Sequence, residues 1–328
     1  MSINKSLILF CLLLLLSLLA IVFSLTSGSL EISVNQYWHA LTGSDQGLET
    51  QVLRELRIPR TFSAFVTGGL LAFSGVIMQV LLRNPLADPY ILGISGGAAV
   101  AALATILTGI GSFWVPYAAF IGAIFSITLV FGITSSGGSW SVTRLILTGV
   151  VVSAGWGAII NILLTTSSTN TVQSMLFWLM GDLSQSRIST WHFAVLIFGL
   201  LIGAFYARSL NVLIRGELQA QSLGVNVAKL RIALYLTASI LTATAVTIAG
   251  SVGFIGLIIP HMLRLLGARD HRLLIPFSVL LGGSFLVLAD SLARTLIAPQ
   301  QLPAGVVTAV VGVPVFIVIL RSTVKQHQ

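Results

Sequence analysis

The sequence predicts an all-α, polytopic membrane protein with about ten transmembrane helices per subunit. Of its 328 residues, 56% are hydrophobic and only 8% are charged. Soluble proteins are about 25% charged, so this inventory cannot build a water-exposed globular surface. Long apolar runs also recur along the whole chain, separated by short polar stretches. Because no linker or change in composition marks a second domain, residues 1–328 are expected to form a single transmembrane domain.

Ten apolar runs reach or approach the roughly 20 residues that cross about 30 Å of hydrocarbon. They are Leu7–Leu25, Thr61–Leu82, Tyr90–Ile110, Val115–Ile133, Leu145–Leu164, Trp191–Tyr206, Ile232–Ala249, Gly253–Leu266, Leu273–Ile297 and Val306–Leu320. The Gly253–Leu266 run is short and contains Pro260, so we expect a short, broken helix there. No small-x-small cleavage pattern follows the first run, which we interpret as a retained helix rather than a signal peptide.

Positive charge sets the predicted orientation. With ten spans and a cytoplasmic N-terminus, twelve of the 17 Lys and Arg residues lie inside and five outside, as the positive-inside rule requires. Both termini are therefore expected to be cytoplasmic. This bias also explains the net charge of +8, and no nucleic-acid partner is expected. The five outer cations are Arg54, Arg57, Arg60, Arg187 and Arg294.

The sequence lacks the motifs of the common soluble enzymes. There is no G-x-x-x-x-G-K-[ST] pattern, so any ATP hydrolysis must come from a separate subunit. Gly93–Gly97 matches G-x-S-x-G, but it lies in a predicted span without the strand that a nucleophile elbow needs. Cys11 is the only cysteine and no H-E-x-x-H occurs. We therefore predict no catalytic residue and no metal site, and we do not expect an enzyme.

A polar, glycine-punctuated stretch, Ser209–Arg231, interrupts the apolar pattern on the predicted cytoplasmic side. Glu217 suits the first turn of a helix, where the dipole favours an acid. Gly224 is the natural residue for a left-handed helix stop, and Asn226 can cap a second short helix. We expect a helix, a glycine turn and a second helix that dock another protein; an ordinary surface loop is the alternative.

Charges within the predicted spans are few, and each costs about 2.5–3.5 kcal/mol at mid-bilayer on insertion scales. Asp290 and Arg294, spaced i and i+4, can pair with each other near the outer end of one helix, where a plain interfacial salt bridge is the alternative.

No chain of acidic residues forms a proton path, which disfavours an ion-gradient-driven secondary transporter. An intramembrane enzyme would need a nucleophile–base pair, and none is found. Glycine blocks such as Gly250–Gly256 favour close helix packing or, alternatively, broken helices lining a path.

Several long blocks of the sequence carry a family resemblance over nearly the whole chain. They are RIPRT at 57–61, RNPLADPYILGISGGA at 83–98, GELQAQSLGV at 216–225, 253–276, LADSLAR at 288–294 and QLPAGVVTAVVGVPVF at 301–316. With these blocks in this order, the chain resembles the FecCD/BtuC-type permeases of iron–siderophore, haem and cobalamin ABC importers.

The resemblance implies a transport subunit of the bacterial inner membrane that works by alternating access. It implies a second permease subunit (a homodimer or close heterodimer), two ATP-binding cassette subunits, and a periplasmic or lipoprotein binding protein. ATP and Mg would be used by the partner ATPase, and no cofactor would be bound by this chain.

Three groups of site residues follow from the same resemblance. ATPase coupling, within the cytoplasmic segment 209–231, is assigned to Arg215, Gly216, Glu217, Ala220, Leu223 and Gly224. Docking of the binding protein is assigned to Arg57, Arg60 and Arg294. A cytoplasmic gate is assigned to Asn84, Leu86, Val142 and Thr143. The chain departs from the family at Gln301, where a Glu usually precedes LP-x-G, which puts any charge-dependent role at this position in doubt.

Overall fold

A computed structural model of the chain describes residues 3–28, 47–135 and 141–325, with side chains up to residue 318. Within these ranges the regular elements are all helical. The main helices are α1 (Ile3–Thr26), α2 (Leu48–Leu81), α3 (Ile94–Thr108), α4 (Val115–Ser135), α5 (Val142–Thr166), α6 (Thr169–Leu179), α7 (Thr190–Leu213), α8 (Glu217–Ser222), α9 (Val227–Ala249), α10 (Ile255–Leu265), α11 (His271–Thr295) and α12 (Ala304–Lys325). Short 3₁₀ turns at Pro89–Leu92 and Ser112–Trp114 precede α3 and α4.

Each of the ten predicted spans coincides with one of these helices. Seven helices of the described chain are long and apolar enough to cross a membrane, namely α1, α2, α4, α5, α7, α9 and α11. The other three apolar helices, α3, α10 and α12, are shorter over the residues whose side chains are described. α10 has 11 residues and is therefore about 16 Å long, which is too short to cross the hydrocarbon alone.

Helix α2 lies at the centre of the bundle. Of its most apolar stretch, 94% is buried, and α2 packs against α9, α10 and α11. Glycines allow its backbone to touch its neighbours: a Cβ at Gly75 would lie 2.0 Å from the carbonyl oxygen of Gly256, and one at Gly68 would lie 2.2 Å from that of Gly282. Any larger residue at these positions would force the helices apart.

Hydroxyl groups tie the buried helices together. Ser74 on α2 hydrogen-bonds Thr242 on α9 at 2.7 Å, and the Tyr235 hydroxyl of α9 donates to the Ile127 carbonyl oxygen of α4 at 2.9 Å. The end of α1 is held to α2 by a 2.8 Å hydrogen bond between Ser24 and Thr61. In lipid, such bonds and close packing replace the hydrophobic force that joins helices in water.

Helix α5 is the least buried long helix, with only 11% of its apolar stretch covered. Leu147, Val151, Ala154, Ala158 and Asn161 are all exposed on it. Their alternating spacing of four and three residues places them on one face of the helix. These five side chains are uncharged, and three of them (Ala154, Ala158 and Asn161) are small; Val150 and Ile162 beside them are exposed as well.

The start of α2 corrects one expectation. The apolar run predicts that this span starts at Thr61, after the outer cations Arg54, Arg57 and Arg60. Residues 29–46 lie outside the described ranges, but from Leu48 the chain is already helical and continuous with the span. Arg54, Arg57 and Arg60 lower the hydropathy of this segment, so the apolar pattern does not show that the helix is continuous. The helix widens into a π-helical stretch at Val52–Arg57, because Pro59 cannot donate the backbone hydrogen bond that an α-helix needs there.

The coupling segment, as we call Ser209–Arg231, corrects a second expectation. Its first helix, α8, is short as predicted, and Gly224 has the left-handed φ of 81° that its position after ELQAQSL predicts. The second helix, however, is not separate. Asn226 caps it by accepting a hydrogen bond from the Lys229 N–H, and it continues unbroken as α9. Nothing between Asn226 and the apolar span stops a helix, so the cap begins the span itself.

Candidate functional site

One end of the bundle carries a buried cluster of charges, which we call the arginine cluster: Arg57, Arg60, Asp290 and Arg294. Arg60 Nη2 lies 2.8 Å from Asp290 Oδ1, and its Nε donates to both carboxylate oxygens at 3.0 and 3.1 Å. Arg294 Nε lies 3.2 Å from Asp290 Oδ2, so the predicted i, i+4 pair is present. The sequence did not reveal that Arg60, 230 residues away, makes the closer contact with the same carboxylate.

The arginines of this cluster are held from within the protein. Arg57 is buried and its Nη1 donates to the Leu25 carbonyl oxygen at 2.8 Å. The side chains of Arg60 and Arg294 are only 11% and 10% exposed, and Arg294 also donates to the Ser24 hydroxyl at 2.8 Å. The cluster contains three arginines and one aspartate, and Arg57 and Arg60 both repel Arg294.

Gln301 completes this cluster. Its Oε1 accepts a hydrogen bond from Arg60 Nη1 at 2.8 Å. A glutamate at this position could make the same contact with a charge-assisted bond and would neutralise one arginine. Glutamine keeps the bond but not the charge, so the cluster in this chain is one unit more positive than it would be with glutamate at position 301.

The coupling segment lies at the other end of α2, beside the turn that follows it. Glu217, in the first turn of α8, accepts hydrogen bonds from Arg83 Nη2 at 2.9 Å and from Arg231 Nη2 at 2.8 Å. Arg231 is buried at the start of α9, whereas Arg83 is exposed and adopts a φ of +48°, which is uncommon for a residue other than glycine. One carboxylate therefore joins the end of α2, the short helix α8 and the base of α9.

Two large apolar side chains project into solvent at α8, among the exposed polar residues Gln219, Gln221 and Ser222. Leu218 is 82% exposed and Leu223 is 70% exposed, whereas Ala220 is buried against the bundle. Ala220, one of the residues assigned to ATPase coupling, therefore lets α8 sit close to the bundle rather than facing outward. Leu218 was missed in the sequence, although two leucines in the otherwise polar ELQAQSL were a signal of a contact surface. Arg215 is exposed beside Gly216 at the start of α8.

The predicted gate residues fall on two elements. Asn84 Oδ1 accepts from the Leu86 N–H at 2.9 Å, which fixes the turn after α2 and leaves the Leu86 side chain partly exposed. Val142 and Thr143 form the first turn of α5, with Thr143 exposed. No hydrogen bond joins the two pairs among the described residues.

The chain after α2 contacts α5 at a different position, beyond Val142 and Thr143. A Cβ at Gly149 of α5 would lie 2.5 Å from the Ile91 carbonyl oxygen, so α5 packs directly on the 3₁₀ turn Pro89–Leu92. Asp88 caps that 3₁₀ turn by accepting from the Tyr90 N–H at 2.8 Å. Burial raises the pKa of the Asp88 carboxyl to about 6, and the hydrogen bond from Tyr90 partly opposes this rise.

Within the described ranges, no three His, Cys, Asp or Glu side chains come together in a way that could hold a metal ion. The residues that stand out at the two ends of α2 are instead arginines and their carboxylate partners.

Comparisons with known proteins agree with this picture. The profile of the FecCD transport family matches residues 13–322. The chain is 38% identical to the hemin transport system permease protein HmuU of Yersinia pestis, over 95% of this chain and 94% of that protein. It is 40% identical to the cobalamin import system permease protein BtuC of Halobacterium salinarum, over 83% of this chain and 73% of that protein. It also superimposes, with a TM-score of 0.81 and 32% identity over 97% of this chain and 99% of the other, on an ABC transporter described as metal-chelate type in an inward-facing conformation.

Replacing Asp290 by Asn should destabilise the protein strongly. The substitution leaves Arg60 and Arg294 buried without a countercharge, and breaking a buried ion pair in this way costs about 3–5 kcal/mol. We expect a clear fall in the apparent unfolding temperature of the purified protein in detergent. Asp182→Asn is the matched control, because Asp182 is only partly buried, forms no salt bridge among the described residues, and as asparagine can still accept from the Ser184 N–H. Equal stability of the two variants would contradict the bracing role of Asp290.

Replacing Glu217 by Gln should loosen α8 without unfolding the bundle. Glutamine removes the charge that two arginines share, and hydrogen bonds to charged groups contribute about 1.5–3 kcal/mol each. Hydrogen exchange of the backbone amides of residues 216–224 should accelerate at least tenfold, while exchange in α2 and α9 stays unchanged. Gln221→Ala, an exposed change on the same helix, should leave the exchange rates as they are. If Glu217→Gln behaves like this control, the carboxylate does not hold α8 in place.

Proposed function

This chain belongs to the FecCD transport family, as a non-enzymatic, multi-pass permease subunit of an ABC importer of the metal-chelate, haem or cobalamin type, and we propose that it carries an iron–siderophore, haem or cobalamin complex across the bacterial inner membrane. The match of residues 13–322 to the family carries this proposal. In this proposal, residues 1–328 form one transmembrane domain that crosses the membrane ten times, with both termini in the cytoplasm.

The exposed face of α5 supports a path shared with a second permease subunit. This face, from Leu147 to Asn161, is uncharged, and little of it is covered within the subunit. A bulky chelate that carries its own polar groups meets no fixed charge there to trap it. We propose that two copies of the chain, or this chain and a close relative, face each other across α5.

The coupling segment fits the contact with an ATP-binding cassette subunit. Leu218 and Leu223 project from α8 and can enter an apolar recess of the partner, and the bond from Glu217 to Arg83 relays displacement of α8 to the turn that carries Asn84 and Leu86. Each ATPase would bind ATP and Mg, and alternating access would follow its movement. Val142 and Thr143, at the base of α5, complete the proposed gate.

The arginine cluster fits the opposite contact, with a periplasmic or lipoprotein binding protein. Its excess of positive charge would attract acidic side chains of that partner and steer its approach. Because Arg57, Arg60 and Arg294 are largely buried, they would act through this field and through the part of each guanidinium that remains exposed.

Reconstituted transport tests this function. Liposomes containing the permease and its ATPase should accumulate one of a ferric siderophore, haem or cobalamin when the binding protein and ATP are supplied. Uptake should persist when ionophores collapse ion gradients, and it should stop when the ATPase is omitted. Uptake that survives without ATPase and collapses with the gradient would instead establish a secondary transporter.

Gly224→Val tests the coupling role of the segment. A β-branched residue at a φ of 81° costs about 1–2 kcal/mol, so the turn between α8 and α9 should open and stimulated ATP hydrolysis should fall severalfold with transport. Gly109→Val is the matched control, because Gly109 also has a positive φ and open space around its Cβ position, but lies between α3 and α4. Normal hydrolysis and transport in Gly224→Val would refute the coupling role. An equal loss of activity in both variants would show that backbone strain in general, and not this turn, causes the effect.

A further inference from the structure

A groove of about 560 Å³ runs between α7 and α9 on the outside of the bundle. Its walls are mainly aliphatic and aromatic, and include Phe198, Leu201, Phe205, Ala233, Leu236 and Ile240. The hydroxyl of Thr237, which also lines the groove, donates to the Ala233 carbonyl oxygen of its own helix at 2.7 Å. That hydroxyl therefore needs no hydrogen-bond acceptor within the groove.

Large side chains along this groove remain exposed, Leu201 and Phe205 on α7 and Leu236 and Ile240 on α9 among them. In a membrane-spanning chain such a surface faces the acyl chains. Lipid tails are as apolar as leucine, so the groove alone gives little preference for one lipid over another. Any selectivity must come from the headgroup.

Two cations mark one end of the groove. Arg208 follows Leu201 and Phe205 at seven and three residues, and Lys229 precedes Ala233 and Leu236 at four and seven residues. These spacings place each cation on the same helix face as the groove residues, one turn beyond them. Both side chains are exposed, and neither forms a salt bridge with any residue that the structure describes.

We propose that this groove is a binding site for an anionic phospholipid, with an acyl chain between α7 and α9 and the phosphate headgroup at Arg208 and Lys229. An apolar strip that ends in two unpaired cations is complementary to an amphiphile with one negative end. A transmembrane helix of another protein would match the strip but not the charges. Each Lys or Arg at a membrane surface strengthens binding to anionic lipid about fivefold.

The position of the site connects it to the coupling segment. Arg208 is the residue before that segment, and Lys229 lies in its last turn, where its N–H bonds the Asn226 cap. A headgroup held by both cations would therefore brace the two ends of the segment against each other. The proposal goes beyond the transport function and rests only on membrane insertion, so the two can fail separately.

Native mass spectrometry of the purified protein tests the proposal. The protein is extracted into mild detergent and titrated with phosphatidylglycerol or with phosphatidylcholine of the same chains. The wild type should retain phosphatidylglycerol preferentially, and Arg208→Gln/Lys229→Gln should lower that preference about 25-fold, fivefold for each cation. Arg269→Gln/Arg272→Gln, which removes two exposed cations from the turn before α11 and from its first turn, should leave the preference unchanged.

A second variant tests the groove without changing charge. Ala233→Phe fills the end of the groove next to Lys229 and should weaken retention of both lipids while the protein remains monodisperse. An equal loss of lipid preference in Arg269→Gln/Arg272→Gln would show that diffuse surface charge retains the lipid, and it would overturn the site. Retention unchanged in Arg208→Gln/Lys229→Gln or in Ala233→Phe would overturn it as well. A change in protein stoichiometry in Ala233→Phe, without a change in lipid, would show that a protein chain occupies the groove.

Discussion

Direct backbone contact between α2 and its neighbours is the constraint on which this structure depends. At Gly68 and Gly75 the helices are too close for any side chain, and hydroxyl pairs such as Ser74 with Thr242 fasten the same surfaces. Within lipid there is no hydrophobic force to gather helices, so packing and interhelical hydrogen bonds must do so. The centre of the subunit is accordingly its tightest part, and its least covered long helix, α5, is left for contact with others.

The two charged sites depend on this central helix for their positions. Arg60 lies near the beginning of the continuous α-helical part of α2, and Arg83 lies two residues beyond its end. Each reaches a carboxylate on another element, Asp290 on α11 and Glu217 on α8. The arginine cluster and the coupling segment are thus connected through one helix, although they lie at opposite ends of the bundle.

Local features of the sequence predicted the helices and much of the coupling segment. Each of the ten apolar runs lies on a helix, and the left-handed Gly224 and the Asn226 cap follow from rules that involve only neighbouring residues. The pairs Arg83–Glu217 and Arg60–Asp290 join residues 134 and 230 positions apart, and no local rule can predict them. The early start of α2 was hidden for a different reason: hydropathy reports burial in lipid, whereas a helix continues through arginines without difficulty.

The stiffness of α2 has a mechanical consequence. Its continuous α-helical part, Ile58–Leu81, has 24 residues and is about 36 Å long, so a tilt of about 10° displaces its far end by about 6 Å, slightly more than one helical turn. Such a rod acts as a lever with an arginine close to each tip. A partner that pulls on one tip moves the other directly, without a relay of side-chain rearrangements through an interior that is almost free of charge.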